Sequence, residues 1–251
     1  MPTAGLRVAF DMDGTVADMH SVLRREAERL FGAAAPAIDR ESDERGAEAP
    51  ADIPPVVARD DLRLNQDQWR TLWEHVEGFE NFWTTLPEME PGIVARIAAT
   101  ARARRWDVLF ITTRPTTAGE PTQLQTQRWL RNHGFEYPSA CVLERSRGKL
   151  ASVLQLDAVV DDRPENCLAV AMDSKAKPLL IWPGSRETLP AGLDRMGVRP
   201  FASIGDAVAW LEKLDDRRRQ SGVMRTVRRF LRSDCTDHGC GARMGTRSGS
   251  S

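Results

Sequence analysis

The chain has 251 residues, 41% of them hydrophobic, which suits one large domain or a domain carrying a smaller insert and excludes wholesale disorder. Thirty-five Lys and Arg against 36 Asp and Glu give a formal net charge of −1, so the chain is not basic along its whole length in the manner of a nucleic-acid coat. No apolar run approaches the ~20 residues of a membrane helix. The four cysteines (Cys141, Cys167, Cys235, Cys240) are too few for a disulfide scaffold, and Arg7 and Asp11 interrupt any leader-like stretch, so a cytoplasmic protein is expected.

In chain order, short apolar segments at 6–10, 108–112, 141–143, 158–160 and 179–182 have the length and continuity of strands buried on both faces. Helical patterns separate them. One covers 19–31, and another follows Pro91-Gly92 with Ile93, Val94, Ile97, Ala98 and Ala101 on one face. A third begins near Pro121 and stops at Gly134, and others cover 149–154, 164–171 and 206–214. Strands alternating with helices predict a doubly wound parallel α/β sheet. Two regions depart from that rhythm. Between the first strand and Gly92 no strand is predicted: an acidic stretch, 33–61, reads as a mobile loop, and Trp69, Leu72, Trp73 and Val76 then fall at helical spacing. The expected organisation is a catalytic core of 1–17 and 88–215, a helical cap of 18–87, and a basic tail of 216–251. The tail holds nine arginines against three acids, and Val223, Val227, Phe230 and Leu231 share one helical face there. Such a helix can dock on its own domain, and contact with a membrane or nucleic acid stays open.

The chemistry concentrates at strand ends. Asp11-Met12-Asp13-Gly14-Thr15 follows the first strand, in the crevice where open α/β sheets bind ligands. One carboxylate there can attack an electrophile while the other handles protons. Thr112-Thr113-Arg114-Pro115 closes the second strand with hydroxyls suited to an oxyanion. Lys149 opens a short helix, and Asp161-Asp162 directly follows the apolar Ala158-Val159-Val160, a costly place for two acids without a cation. Beside Asp11 and Asp13 they make an oxygen-rich site of the kind magnesium prefers. Cys235, His238 and Cys240 offer three zinc-type ligands without a fourth nearby, and incidental cysteines are the favoured reading. His20 belongs either on a helix surface or at the pocket mouth.

From about 6 to 182 the sequence resembles the haloacid dehalogenase superfamily of phosphohydrolases, whose four motifs find matches at 11–15, Thr113, Lys149 and Asp161-Asp162. Asp161-Asp162-Arg163-Pro164-Glu165-Asn166, Asn81-Phe82-Trp83 and Thr113-Arg114-Pro115 further resemble the 5′(3′)-deoxyribonucleotidases, although that family usually has Ser where Arg114 stands. The resemblance implies Asp11 as nucleophile and Asp13 as general acid and then base. It implies Thr113 and Lys149, with Arg114 beside them, on the phosphoryl oxygens. Mg²⁺ would be held by Asp11, Asp13 through its carbonyl, and Asp161 or Asp162. Met19, Phe79, Phe82, Trp83 and Arg147 are candidates for the substrate pocket, the aromatics either stacking a base or packing the cap. The expected substrate is a small phosphorylated molecule, a nucleoside monophosphate, and the oligomeric state is left open. The alternatives are a polynucleotide 3′-end phosphatase, suggested by the similarity of 113–129 to polynucleotide kinase-phosphatases, and a binding module that keeps the fold without turnover.

Overall fold

A computed structural model describes residues 5–32, 62, 64–143, 146–184 and 186–234, with the backbone alone for 186 and 221–234. The acidic stretch 33–61 and the Cys235, His238 and Cys240 cluster lie outside the described residues. Six strands, β1 Arg7–Asp11, β2 Asp107–Thr112, β3 Ser139–Val142, β4 Ala158–Asp161, β5 Lys177–Ile181 and β6 Arg199–Phe201, form one parallel sheet in the order β3-β2-β1-β4-β5-β6. The chain enters at the centre, steps outward through β2 and β3, and returns to place β4 against the other side of β1. The order reverses between β1 and β4, and a doubly wound sheet binds its ligand in the crevice at that point. Five strands lie within two residues of their predicted segments. β6 was not foreseen, because Arg199-Pro200-Phe201 has neither an apolar run nor a clear alternation.

The helices are α1 Met19–Phe31, α2 Gln66–Gly78, α3 Ile93–Arg104, α4 Thr122–Asn132, α5 Arg147–Val153, α6 Pro164–Asp173 and α7 Ile204–Asp234. Local chemistry sets their ends. Asp18 caps α1 by accepting from the Ser21 amide, Asn65 and Gln68 form a reciprocal capping box on α2, and Pro164 starts α6 where its missing N–H costs nothing. Among the described residues no helix is long and apolar enough to cross a membrane. Helix α7 was expected to end near residue 214, yet its backbone continues to Asp234. The chain divides into two units, one reaching to Trp210 and a second that begins at Leu211 within α7.

Residues alternate across each strand, so register decides which face they cover. Ala9, Ile111 and Val159 share one face and pack with Ala151 of α5 and Val170 of α6. Phe10, Phe110 and Val160 share the other, where Phe110 meets Phe135 edge-on at 5.1 Å. The insert between β1 and α3 leaves and returns through an antiparallel link, in which the Asp18 amide donates to Pro87 O and the Met89 amide to Val16 O. A 3₁₀ turn, Phe82–Thr84, ends the insert against the loop after β2. There the Ala118 amide donates to Glu77 O, the Asn81 amide to Ala118 O, and the Trp83 indole N–H to Pro115 O. The buried Trp129 of α4 donates its indole N–H to Leu86 O at 2.6 Å. These are long-range bonds, and they tie the insert to the sheet through β2 and α4.

Helices α5 and α6 approach so closely at Gly148 that a Cβ there would stand 2.0 Å from the Ala169 carbonyl oxygen. Gly148→Ala must separate the two helices. It should cost about 1–3 kcal/mol, seen in a thermal melt as a Tm lower by roughly 5 °C.

Candidate functional site

The head of β1 bends at once. Gly14 has φ +86°, and the Val16 and Ala17 amides both donate to Met12 O, so Asp11 and Asp13 emerge on the crevice side of a tight turn. A Cβ on Gly14 would lie 2.3 Å from Asp162 Oδ2 and 3.2 Å from His20 Nε2. Glycine is therefore required by both backbone and space. The same contacts place His20 at the turn, the pocket-mouth alternative of its two sequence readings. Thr15 Oγ1 donates to Asp162 Oδ1 at 3.1 Å, locking the first motif to the end of β4.

Four aspartates therefore meet at the switch point, and two buried arginines face them. Arg147, 4% exposed, places Nη2 2.6 Å from Asp11 Oδ1 and Nε 3.7 Å from Asp161 Oδ2. Its Nε and Nη1 have no hydrogen-bond acceptor among the described residues. Arg114 spreads its fork over Asp13, with Nε 2.9 and 2.8 Å from the two carboxylate oxygens and Nη2 2.6 Å from Oδ1. Thr112 Oγ1 donates to Asp13 Oδ2 at 2.9 Å. Asp161 accepts from the Arg163 amide at 2.9 Å and from the Asn166 amide group at 3.0 Å on both oxygens. That leaves Asp162, half-buried and bonded by Thr15, as the more open of the two acids.

The crowding shows in the acidities. Burial, and then the charge of Asp161, push Asp11 well above the usual carboxylate range, against the pull of Arg147. Burial and the Asp162 charge push Asp161 up to about 7, and burial with the Asp11 charge takes Asp162 to about 7 as well. Three acids thus resist ionising together, and a further cation would relieve them. Among the described residues no three His, Cys, Asp or Glu side chains form a ready-made metal cage. Mg²⁺ does not need one, since it binds through one or two carboxylates and keeps water and substrate oxygens for its other positions. The donor set fits such an ion.

Several expected site residues lie elsewhere. Lys149, expected on the phosphoryl group, is exposed on α5, and Arg147 fills the crevice position instead. Residues two apart on a helix point about 200° from one another, so only one of them can face the sheet end. Thr113 was expected on the phosphoryl oxygens, and the hydroxyl of this strand end that reaches the acids is that of the fully buried Thr112. Arg114, expected on phosphate, is committed to Asp13 with its side chain 0% exposed. Met19, Phe82 and Trp83 are buried in the packing of the insert, Phe82 and Trp83 edge-on at 5.0 Å, while Phe79 is 40% exposed. The tight spacing of acids and arginines around Asp161 was the signal available for Asn166, whose carboxamide serves that carboxylate.

The raised acidities have a consequence for stability. Asp161 and Asp162 hold their protons to about pH 7 in the folded chain and to about 4 when unfolded. The folded state therefore binds more protons between those values, and stability falls as pH rises from 5 to 8. Urea unfolding of metal-free protein across that range should show a decline on the order of 1 kcal/mol or more.

A scan against protein-family models finds no match, and neither does a search of curated proteins. Solved structures do match. A haloacid dehalogenase family hydrolase from Deinococcus radiodurans R1, with bound phosphate and sodium, superposes with a TM-score of 0.52 at 15% identity over 84% of this chain and 97% of that one. A hydrolase from Pseudomonas syringae gives 0.48 at 16% identity over 83% and 98%. A haloacid dehalogenase-like hydrolase from Xanthomonas campestris gives 0.47 at 14% identity over 86% and 98%. At 15% identity the likeness to the Deinococcus structure speaks for architecture alone: the chain has the fold of a haloacid dehalogenase-like hydrolase, with its acids gathered at the switch point of that fold.

Proposed function

We propose that the chain is a magnesium-dependent phosphomonoester hydrolase that works through a phospho-aspartate on Asp11, with nucleoside monophosphates as substrates. The observation that carries the reading is the pairing of Asp11 with Arg147 at the head of β1, opposite Asp161 and Asp162. A nucleophilic carboxylate needs a fixed orientation, and the phosphoryl group it attacks brings negative charge that cations must offset. Arg147 supplies both functions. Its Nη2 fixes Asp11 Oδ1, leaving Oδ2 to attack, while Nη1, and Nε beside Asp161, are buried donors without a hydrogen-bond acceptor among the described residues and suit phosphoryl oxygens.

The Asp11 and Asp162 carboxylates and the Asp13 carbonyl would hold the metal. When bound, Mg²⁺ supplies charge neutralisation and orients the phosphoryl group. Asp161 instead acts as support, because its oxygens are already engaged by Asn166 and the Arg163 amide. Asp11 Oδ2 forms the bond to phosphorus as the ester P–O bond breaks, and Asp13 hands a proton to the departing alcohol. Water then attacks phosphorus, the bond to Asp11 breaks, and the water proton passes to Asp13. The insert roofs this crevice and limits water access during transfer. For a nucleotide, Phe79 offers the exposed aromatic face, set edge-on to Phe82 at 5.9 Å; base–aromatic stacking contributes roughly 1–3 kcal/mol.

Phosphate release from a nucleoside 5′-monophosphate should need Mg²⁺, stop with a chelator, and vanish in Asp11→Asn. Equal release by wild type and that variant overturns the enzyme. Faster turnover of a 3′-phosphorylated oligonucleotide than of the mononucleotide overturns the substrate class. In the same assay Arg147→Met should lower kcat on the order of 10²–10³-fold, whereas Lys149→Met should change it by less than about threefold, as for a surface residue.

A further inference from the structure

Arg114 holds Asp13 in a buried clasp. We infer that Arg114 is a positioning residue for Asp13, aiming its carboxylate at the water that cleaves the phospho-aspartate. This rests on the phosphohydrolase reading above. Asp13 accepts from three donors, Arg114 Nε shared between both oxygens, Arg114 Nη2, and Thr112 Oγ1. An ionised carboxylate has about four lone-pair sites. The contacts fall two on each oxygen, so both sides of the carboxylate are engaged and the group is pinned in one rotamer.

The clasp is itself held on every side. Arg114 Nη1 donates to Thr126 Oγ1 of α4 at 3.1 Å, and its Cζ lies 4.8 Å from the centre of the Trp83 ring. Trp83 in turn donates its indole N–H to Pro115 O and its amide to Gln125 Oε1. A solvent-exposed arginine would keep several rotamers, but here the guanidinium has one seat, set by the insert and α4 together. Removing it lets Asp13 swing on two side-chain torsions. Both proton transfers by Asp13 suffer, and the one this inference concerns is the second. In it, the water oxygen forms a bond to phosphorus, and the P–O bond to Asp11 breaks with its electron pair returning to that carboxylate. The water proton moves to Asp13 and leaves with the solvent.

The first step can be spared by choice of substrate, since p-nitrophenolate departs without needing a proton. Rapid mixing of p-nitrophenyl phosphate and Mg²⁺ with Arg114→Met should give a burst of nitrophenolate close to one per enzyme. A steady state on the order of 10²-fold slower than wild type should follow, with acid-quenched protein carrying phosphate. Arg114→Lys, which reaches one oxygen only, should fall between. Thr126→Val frees the far end of the guanidinium and should shift the burst-to-steady-state ratio the same way by a few-fold. Should Arg114→Met not fold, as read by circular dichroism, the Thr126→Val ratio decides. Equal slowing of burst and steady state, or no change in either, overturns the positioning role while leaving the hydrolase intact. No nitrophenolate from wild type overturns the phosphohydrolase reading, and this inference with it.

Discussion

Four aspartates share one crevice, and the rest of this structure answers that fact. Asp11 and Asp13 arrive from β1, Asp161 and Asp162 from β4, and the reversal of strand order brings the two pairs together. Their mutual repulsion in a partly dry crevice opposes folding, as the upward shifts of Asp11, Asp161 and Asp162 record. Two buried guanidiniums offset part of it. The offset is divided unevenly, since Asp13 receives a full bidentate fork whereas Arg147 spans Asp11 and Asp161 with one short contact. The uncompensated remainder lies at Asp11 and Asp162, the carboxylates assigned to the proposed metal.

Each arginine reaches its acids because of how a separate element is anchored. Arg147 begins α5, which lies so close to α6 that only glycine fits at position 148, and that contact fixes where the first turn of α5 points. Arg114 follows β2 directly, and its outer face is closed by Trp83 from the insert and Thr126 from α4. The insert is thus part of the site's framework. The backbone bonds joining Glu77 and Asn81 to Ala118 make the loop after β2 common to both.

Much of the core was legible in the residues themselves. Apolar segments bounded by charge gave five of the six strands, and the periodicity of Trp69, Leu72, Trp73 and Val76 located α2, because burial of one face leaves a regular trace. The acids after β1 and β4 were legible for a related reason: carboxylates next to a continuous apolar run are costly unless they serve some chemistry. What the pattern left undecided was side-chain direction. Thr112 and Thr113 are alike in the sequence, as are Arg147 and Lys149 to a first reading of charge, yet it is Thr112 that reaches Asp13 and Arg147 that reaches Asp11, while Lys149 is exposed.

The amino-acid sequence by itself determined the parallel α/β architecture and the clustering of acids at strand ends, because both depend on local hydrophobic pattern and on the high cost of isolated buried charge. Only the tertiary structure decided which cations answer those acids. That choice turns on the phase of α5 against the sheet, on the alternation at the end of β2, and on a tryptophan some thirty residues upstream that seats Arg114. Such relations join residues distant in the chain. They follow from register and helix phase, which no single segment encodes.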